Sequence, residues 1–215
     1  MQAEAVLDFG CGNAHYLNLL ARMFPDKQYF GIEADDEMRK VAQLSAGKNV
    51  TILGPSDDPM KLLPEIDFYL FRLVLLHLPD REVAYRYVTK RASPKAAALV
   101  IDADDEHFLI VPPPTLFLGA LAQLRAQSKN RSLLDVSKKE FEKLGFQCAM
   151  ELRLVINSGV PHVKPLMEKY MFHTAELGVG SPLPAALRDE LWEWSLMSDA
   201  YAQYGVFGQL FVPRS

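Results

Sequence analysis

The chain has 215 residues, 49% of them apolar and 23% charged, with a net charge of −4 at pH 7. That balance fits a single globular domain with a sizeable core. A pI near 5.7 and the lack of any Lys/Arg block argue against a nucleic-acid binder. No apolar run is long enough to span a bilayer, no signal-peptide pattern is present, and Cys11 and Cys148 read as free thiols, so no membrane partner and a cytoplasmic location are expected.

Ala5–Phe9 is a short apolar run that meets Gly10, Cys11 and Gly12, the pattern of a buried strand entering a tight turn. Leu17, Leu20, Ala21 and Phe24 follow at helical spacing until Pro25 stops the helix. Tyr29–Glu33 predicts a second strand, and Asp35 is placed to cap a helix with Met38, Val41 and Ala42 on one face. Val50–Leu53 predicts a third strand and Asp58-Pro59 a helix start. Asp67–Phe71 predicts a fourth strand, Asp80 a cap for a helix with Val83, Tyr87 and Val88 inward, and Ala97–Asp102 a fifth strand. Strands alternating with helices predict a parallel sheet with helices on both faces.

The second half is less regular. Leu109–Pro114 is apolar and proline-rich, and Leu116–Gln127 predicts a helix. Ser137 and Glu140 read as the capping box of a short helix ending at Leu144-Gly145. Phe146–Ile156 predicts a sixth strand, Asn157–Pro184 an irregular stretch with a short helix near Leu166–Phe172, Ala185–Ala202 a helix and Val206–Val212 a last strand. Trp192 and Trp194 fall on different faces of that helix, which leaves one of them exposed. No linker divides the chain, so residues 1–215 are expected to form one domain.

The glycine turn carries the chemistry. Gly10 and Gly12 let the backbone turn tightly and approach a ligand, with Asp8 before them and Glu33 at the end of the second strand. The dinucleotide fingerprint G-x-G-x-x-G would need glycine at 15, where the chain has His15, so a nicotinamide dehydrogenase is disfavoured. The segment from Val6 to His15, with its D-x-G-x-G turn, resembles that of class I S-adenosylmethionine-dependent methyltransferases. Gly31-Ile32-Glu33-Ala34-Asp35, the run from Leu73 to Asp80, and Leu144-Gly145-Phe146 extend the resemblance.

The resemblance implies a three-layer Rossmann-like α/β fold, with a mostly parallel seven-stranded sheet whose last strand is antiparallel. It implies S-adenosylmethionine as cofactor, held by Asp8, Gly10, Cys11, Gly12, Glu33, Ala34, Asp57 and Arg72. In this expectation Asp8 attracts the ammonium of the methionine moiety and Glu33 accepts from both ribose hydroxyls. Asp57 meets the adenine amino group, and Arg72 lies near the cofactor carboxylate or the substrate. Two positions depart from the family pattern: Ala14 stands at a usual third glycine, and Pro94-Lys95-Ala96 replaces Pro-Gly-Gly. Only Met1–Glu4 precede the first strand, so the family's N-terminal cover helices are lacking. Either the sequence is truncated, or a homodimer mate or partner chain supplies the cover, or the site is open.

Direct displacement at a sulfonium needs proximity and a dry cavity more than any fixed catalytic group. His77, after the fourth strand, is the candidate base, set against a structural role in packing or capping. Asp102, Asp104 and Asp105 follow the fifth strand, at the sheet end where open α/β sheets bind ligands. His107 joins them, but the spacing fits no metal motif, and no metal is expected. Substrate-side insertions are read around 104–134 and 157–184, with His15, Asp102, Asp104, Phe108 and Phe117 toward the acceptor. The expected reaction is O- or N-methylation of a small molecule. The alternative is a non-catalytic, methyltransferase-like subunit that binds a partner chain.

Overall fold

The computed structural model describes residues 4–127 and 133–214. Strand β1 (Ala5–Phe9) leads through the glycine turn into helix α1 (His15–Met23), followed by β2 (Gln28–Ile32), α2 (Asp36–Ser45) and β3 (Val50–Leu53). A 3₁₀ turn (Pro55–Asp57) and α3 (Pro59–Leu62) precede β4 (Ile66–Arg72), α4 (Glu82–Arg91) and β5 (Ala92–Val111). Then come α5 (Thr115–Gln127), α6 (Leu133–Lys143), β6 (Phe146–Asn157), α7 (Lys164–Val179), α8 (Ala185–Leu196) and β7 (Tyr201–Pro213).

The strands form a seven-stranded sheet in the order β3-β2-β1-β4-β5-β7-β6. β1 runs parallel to β2 and β4, β2 to β3, and β4 to β5. Gly145 O accepts from Arg214 N at 2.9 Å and Ala202 O from Ser158 N at 2.9 Å, a register that only antiparallel β6 and β7 can make. The expected Rossmann-like topology is therefore present, its direction of winding reversing between β1 and β4.

Two compact units emerge from the packing, and the divisions fall inside β5, β6 and β7 and after the first residue of α6. The first comprises Met1–Asp102, Leu134–Leu152 and Phe207–Ser215; the second comprises Ala103–Leu133 and Arg153–Val206. In the first unit, Val6, Leu17, Ala21, Tyr29, Ile52 and Leu70 pack on one sheet face. An aromatic group packs around Phe71 and Phe141, with the Phe141 and Phe211 rings stacked at 4.2 Å. Arg81 makes a two-pronged ion pair with Glu140, which also accepts from the Tyr85 hydroxyl at 2.6 Å. In the second unit α5, α7 and α8 bury Phe117, Leu121, Met167, Met171, Leu191 and Trp194.

Several expectations change here. α6 starts at Leu133, so Ser137 lies inside the helix and is no cap: it is buried and donates to Leu134 O. Glu140 is spent on Arg81 and Tyr85 instead of a capping box. α4 turns Ala84, Tyr85 and Val88 inward, while Val83 is exposed. On α2 only Ala42 is buried, and Met38 and Val41 face solvent. β5 runs from Ala92 to Val111 without stopping at Asp102. The short helix expected near Leu166–Phe172 is part of the longer, 16-residue helix α7, and α8 ends at Leu196, where the backbone turns extended before β7. Trp192 is the exposed tryptophan, and Trp194 is buried with its Nε1 donating to Pro112 O at 3.0 Å.

Candidate functional site

The C-terminal ends of β1, β2, β3 and β4 converge on the glycine turn. The turn runs through three left-handed residues, Gly10 (φ 74°), Gly12 (φ 57°) and Ala14 (φ 58°). The amides of Gly10 and Cys11 both donate to Ile32 O, at 2.8 and 3.1 Å, which ties the turn to the end of β2. A Cβ on Gly10 would lie 2.4 Å from Val74 Cγ2, so glycine is required for space as well as for conformation. A Cβ on Gly12 would meet nothing within 4 Å, so the backbone there borders open space. Ala14 caps α1 in the left-handed region and its methyl is fully buried. The exposed Asn13 accepts from His15 N at 3.1 Å, and His15 is itself exposed in the first turn of α1.

Glu33 organises the turn through both oxygens. Oε2 accepts from Gly12 N at 2.8 Å and Oε1 from Asp35 N at 2.9 Å. A carboxylate has about four lone-pair directions, so each oxygen keeps one for hydroxyl donors. Arg39, which sequence reasoning missed, donates to Glu33 O at 3.0 Å and to Ala34 O at 3.4 Å. Its guanidinium lies where a Cβ on Gly54 would stand, 2.7 Å away. Asp57 accepts from Gly54 N at 2.6 Å, fixing the turn that follows β3, and its side chain reaches the surface. The only hint of these contacts in the sequence is the glycine at each strand end, Gly31 and Gly54.

Asp8 and Arg72 meet across β1 and β4. Asp8 is fully buried, its Oδ2 accepts from Arg72 Nη2 at 2.7 Å, and its Oδ1 has no hydrogen-bond partner. Burial pushes the Asp8 carboxyl up to about 6, although Arg72 pulls it down. The Arg72 guanidinium lies 4.2 Å from the Tyr16 ring centroid, in cation–π contact, and its Nε is also unpartnered. Tyr16 was likewise missed from sequence. The next residue, Leu73, has φ 52°, a costly geometry for a branched side chain that here marks the exit from β4. Burial, with Asp8 and Glu33 adding to it, pushes the Cys11 thiol up to about 12, so at neutral pH it is a packing group and no nucleophile.

His77 is exposed in the turn after β4, its amide donating to Val74 O at 3.0 Å. Asp102 is fully buried and accepts from Leu76 N at 3.4 Å, so its carboxylate braces the backbone beside His77. Among the described residues no group of His, Cys, Asp or Glu is arranged to hold a metal ion. The second unit holds Asp104, buried, with its Oδ2 2.9 Å from His107 Nδ1 and 4.0 Å from Arg153 Nη1. There Phe108 is half-buried, with its ring 6.4 Å from Phe117 and 6.5 Å from Tyr204. Phe117 is fully buried in that unit's core, which makes it packing and not wall. The Asp105 side chain lies outside the described residues.

The open space at Gly12, the paired carboxylate of Glu33 and the Asp8–Arg72 pair suit an adenosine carrying an amino acid. Residues 7–100 match the methyltransferase-domain family model. The matched segment carries the glycine turn, Glu33, Asp57 and Arg72. Among curated proteins none matches the chain. Three solved structures share the fold at low identity. The YcgJ protein of Bacillus subtilis is 18% identical, with 99% of this chain and 92% of that one covered and a TM-score of 0.57. A SAM-dependent methyltransferase of Aquifex aeolicus is 17% identical, with coverage of 96% and 81% and a TM-score of 0.54. The [4+2]-cyclase SpnF is 15% identical, with coverage of 95% and 74% and a TM-score of 0.57. A cyclase on this fold shows that the fold alone does not set the chemistry.

Proposed function

We propose that this chain is a class I methyltransferase that transfers the methyl group of S-adenosylmethionine to oxygen or nitrogen of a small-molecule acceptor. The observation that carries the reading is the turn from Asp8 to Gly12, bound through Gly12 N to Glu33 at the point where the sheet reverses its winding. The cofactor set is Asp8, Gly10, Cys11, Gly12, Glu33, Ala34, Asp57 and Arg72. When bound, the cofactor would supply an electrophilic methyl group.

The chain's own residues do the rest. Gly12 gives room for a ligand beside the backbone, and Glu33 offers its free lone pairs to ribose hydroxyls. Ala34 and Asp57 stand on the two loops that follow β2 and β3. His77 is the candidate base for an acceptor that carries a proton, held on a turn braced by Asp102. The net charge of −4 favours a small molecule over nucleic acid. No helix among the described residues is long and apolar enough to cross a membrane.

The test is calorimetric titration of S-adenosylmethionine into the chain, with Glu33→Ala and Asp8→Ala alongside. Saturable binding, weakened about tenfold or more in folded Glu33→Ala, supports the reading, since the lost contacts are charge-assisted. No binding by the well-folded chain would overturn it.

A further inference from the structure

Strand β6 is the last of the sheet and lacks the devices that keep such an edge from pairing. Its 12 residues, Phe146–Asn157, include no proline, glycine or lysine, and its only charged residues are Glu151 and Arg153. Met150, Leu152, Leu154 and Ile156 alternate onto one face and are 42–63% exposed, so an apolar stripe faces solvent. Glu151 and Arg153 lie on the other face, where Glu151 accepts from Gln209 at 3.0 Å and Arg153 stands 4.0 Å from Asp104. Ser158 N donates to Ala202 O, and Glu151 meets Gln209 the same number of residues along each strand, so the register holds over this stretch. In that register Leu152, Leu154 and Ile156 turn their N–H and C=O groups toward β7, and Glu151, Arg153 and Val155 turn theirs to the outer edge.

We propose that β6 is a homodimer interface, pairing antiparallel with β6 of a second copy about a two-fold axis at Leu152. The occupant follows from the order of the charges. Glu151-Leu152-Arg153 is its own antiparallel complement: about this axis each Glu151 stands opposite Arg153 of the second copy, giving two ion pairs related by symmetry. An axis at Glu151 or at Arg153 would set like charges face to face, and an axis at Leu154 would leave Glu151 opposite Asn157. The outward N–H and C=O groups of Glu151 and Arg153 then exchange hydrogen bonds across the axis, and Leu152 meets its equal in the closer, non-hydrogen-bonded pair. Met150 falls opposite Leu154, so that the two apolar stripes join into one. This interface is independent of the cofactor reading.

The test is sedimentation equilibrium of the wild-type chain, with cross-linking variants in a Cys148→Ser background. Wild type should be a dimer that dissociates on dilution; a monomer at every concentration, or open-ended larger species, overturns the proposal. Leu152→Cys should give a disulfide-linked dimer on mild oxidation, because Cα atoms in such a pair lie about 4.5 Å apart, within disulfide reach. Leu154→Cys should give none, since its equal would lie about 13 Å along the strand. No link from Leu152→Cys, or an equal link from Leu154→Cys, overturns the axis. Glu151→Arg should weaken the dimer about tenfold or more, and adding Arg153→Glu should restore it. A double variant no tighter than the single one overturns the charge register, since a merely structural role would not be rescued by the exchange. The wild-type mass does not depend on whether any variant folds.

Discussion

The two compact units solve the problem of burial differently. The first spends polar groups on its own backbone: Glu33 holds Gly12 N, Asp57 holds Gly54 N, and Asp102 holds Leu76 N. The second does the same at one helix start, where Glu190 accepts from Leu116 N and Phe117 N, and adds close helix contact: a Cβ on Gly178 would lie 2.3 Å from Ala120 O. Polar bracing of backbone fixes the position of a crevice, whereas helix contact fixes only stability. Substitutions at the braces of the first unit should therefore change cofactor binding, and those at the helix contacts of the second should change stability alone.

The largest effect should come from Gly10→Ala, which combines a left-handed backbone with overlap on Val74. A loss of about 2–4 kcal/mol in urea unfolding is expected, together with lost cofactor binding. Asp8→Asn should next reveal a pH dependence. Folding raises this carboxyl from its ordinary 3.8 to about 6, so the folded state takes up a proton between those values. Asp8 thus leaves stability highest below about pH 4, lowers it as pH rises to about 6, and makes no further change above, a total of about 3 kcal/mol. Unfolding curves of Asp8→Asn should lack that slope, and an unchanged slope would show that another group is responsible.

His77→Gln should lower kcat about 100-fold for an acceptor that must lose a proton, with S-adenosylhomocysteine affinity unchanged in calorimetry. A matching loss of affinity would place His77 with the braces and not with the chemistry. In the second unit, Gly178→Ala should cost about 1–3 kcal/mol through overlap with the Ala120 carbonyl, with ligand affinity unaffected. Trp194→Phe removes the bond to Pro112 O and should cost about 1 kcal/mol, read as a lower melting temperature with unchanged binding. Weakened binding in either variant would break the division of labour.

The same contrast explains what could be read in advance. β1 and β3 have the bounds that their apolar runs predict, because a buried strand between turn residues is a local signal. The glycine turn was legible for the same reason: φ 74° at Gly10 and φ 57° at Gly12 suit glycine in any surroundings. Helix α7 was legible only in its first half, as the short helix near Leu166–Phe172, since its buried residues beyond that include Thr174 and Gly178 and its inward face packs against α5 and α8. The inward face of α4 was missed because Tyr85 reaches Glu140 and Phe141, distant in sequence. The acidic run from Asp102 was read as following the end of the fifth strand, yet it continues β5, with Asp104 buried against His107. Arg39 and Tyr16 act through partners on other elements, which no spacing rule foretells.

The place of β7 in the sheet has a kinetic consequence. It lies between β5 and β6 but is the last strand to be made. As the polypeptide emerges, β6 is complete before the neighbour it needs exists, and both α7 and α8 must follow before that neighbour arrives. Closing the sheet is thus a late, long-range event, the slow kind of step in folding. Until then Met150 and Leu152, exposed even in the native state, sit on a strand with two unpaired edges. The newborn chain is most vulnerable to aggregation in that interval, and a change that delays β7 would lower the yield of folded protein before it altered the stability of the finished one.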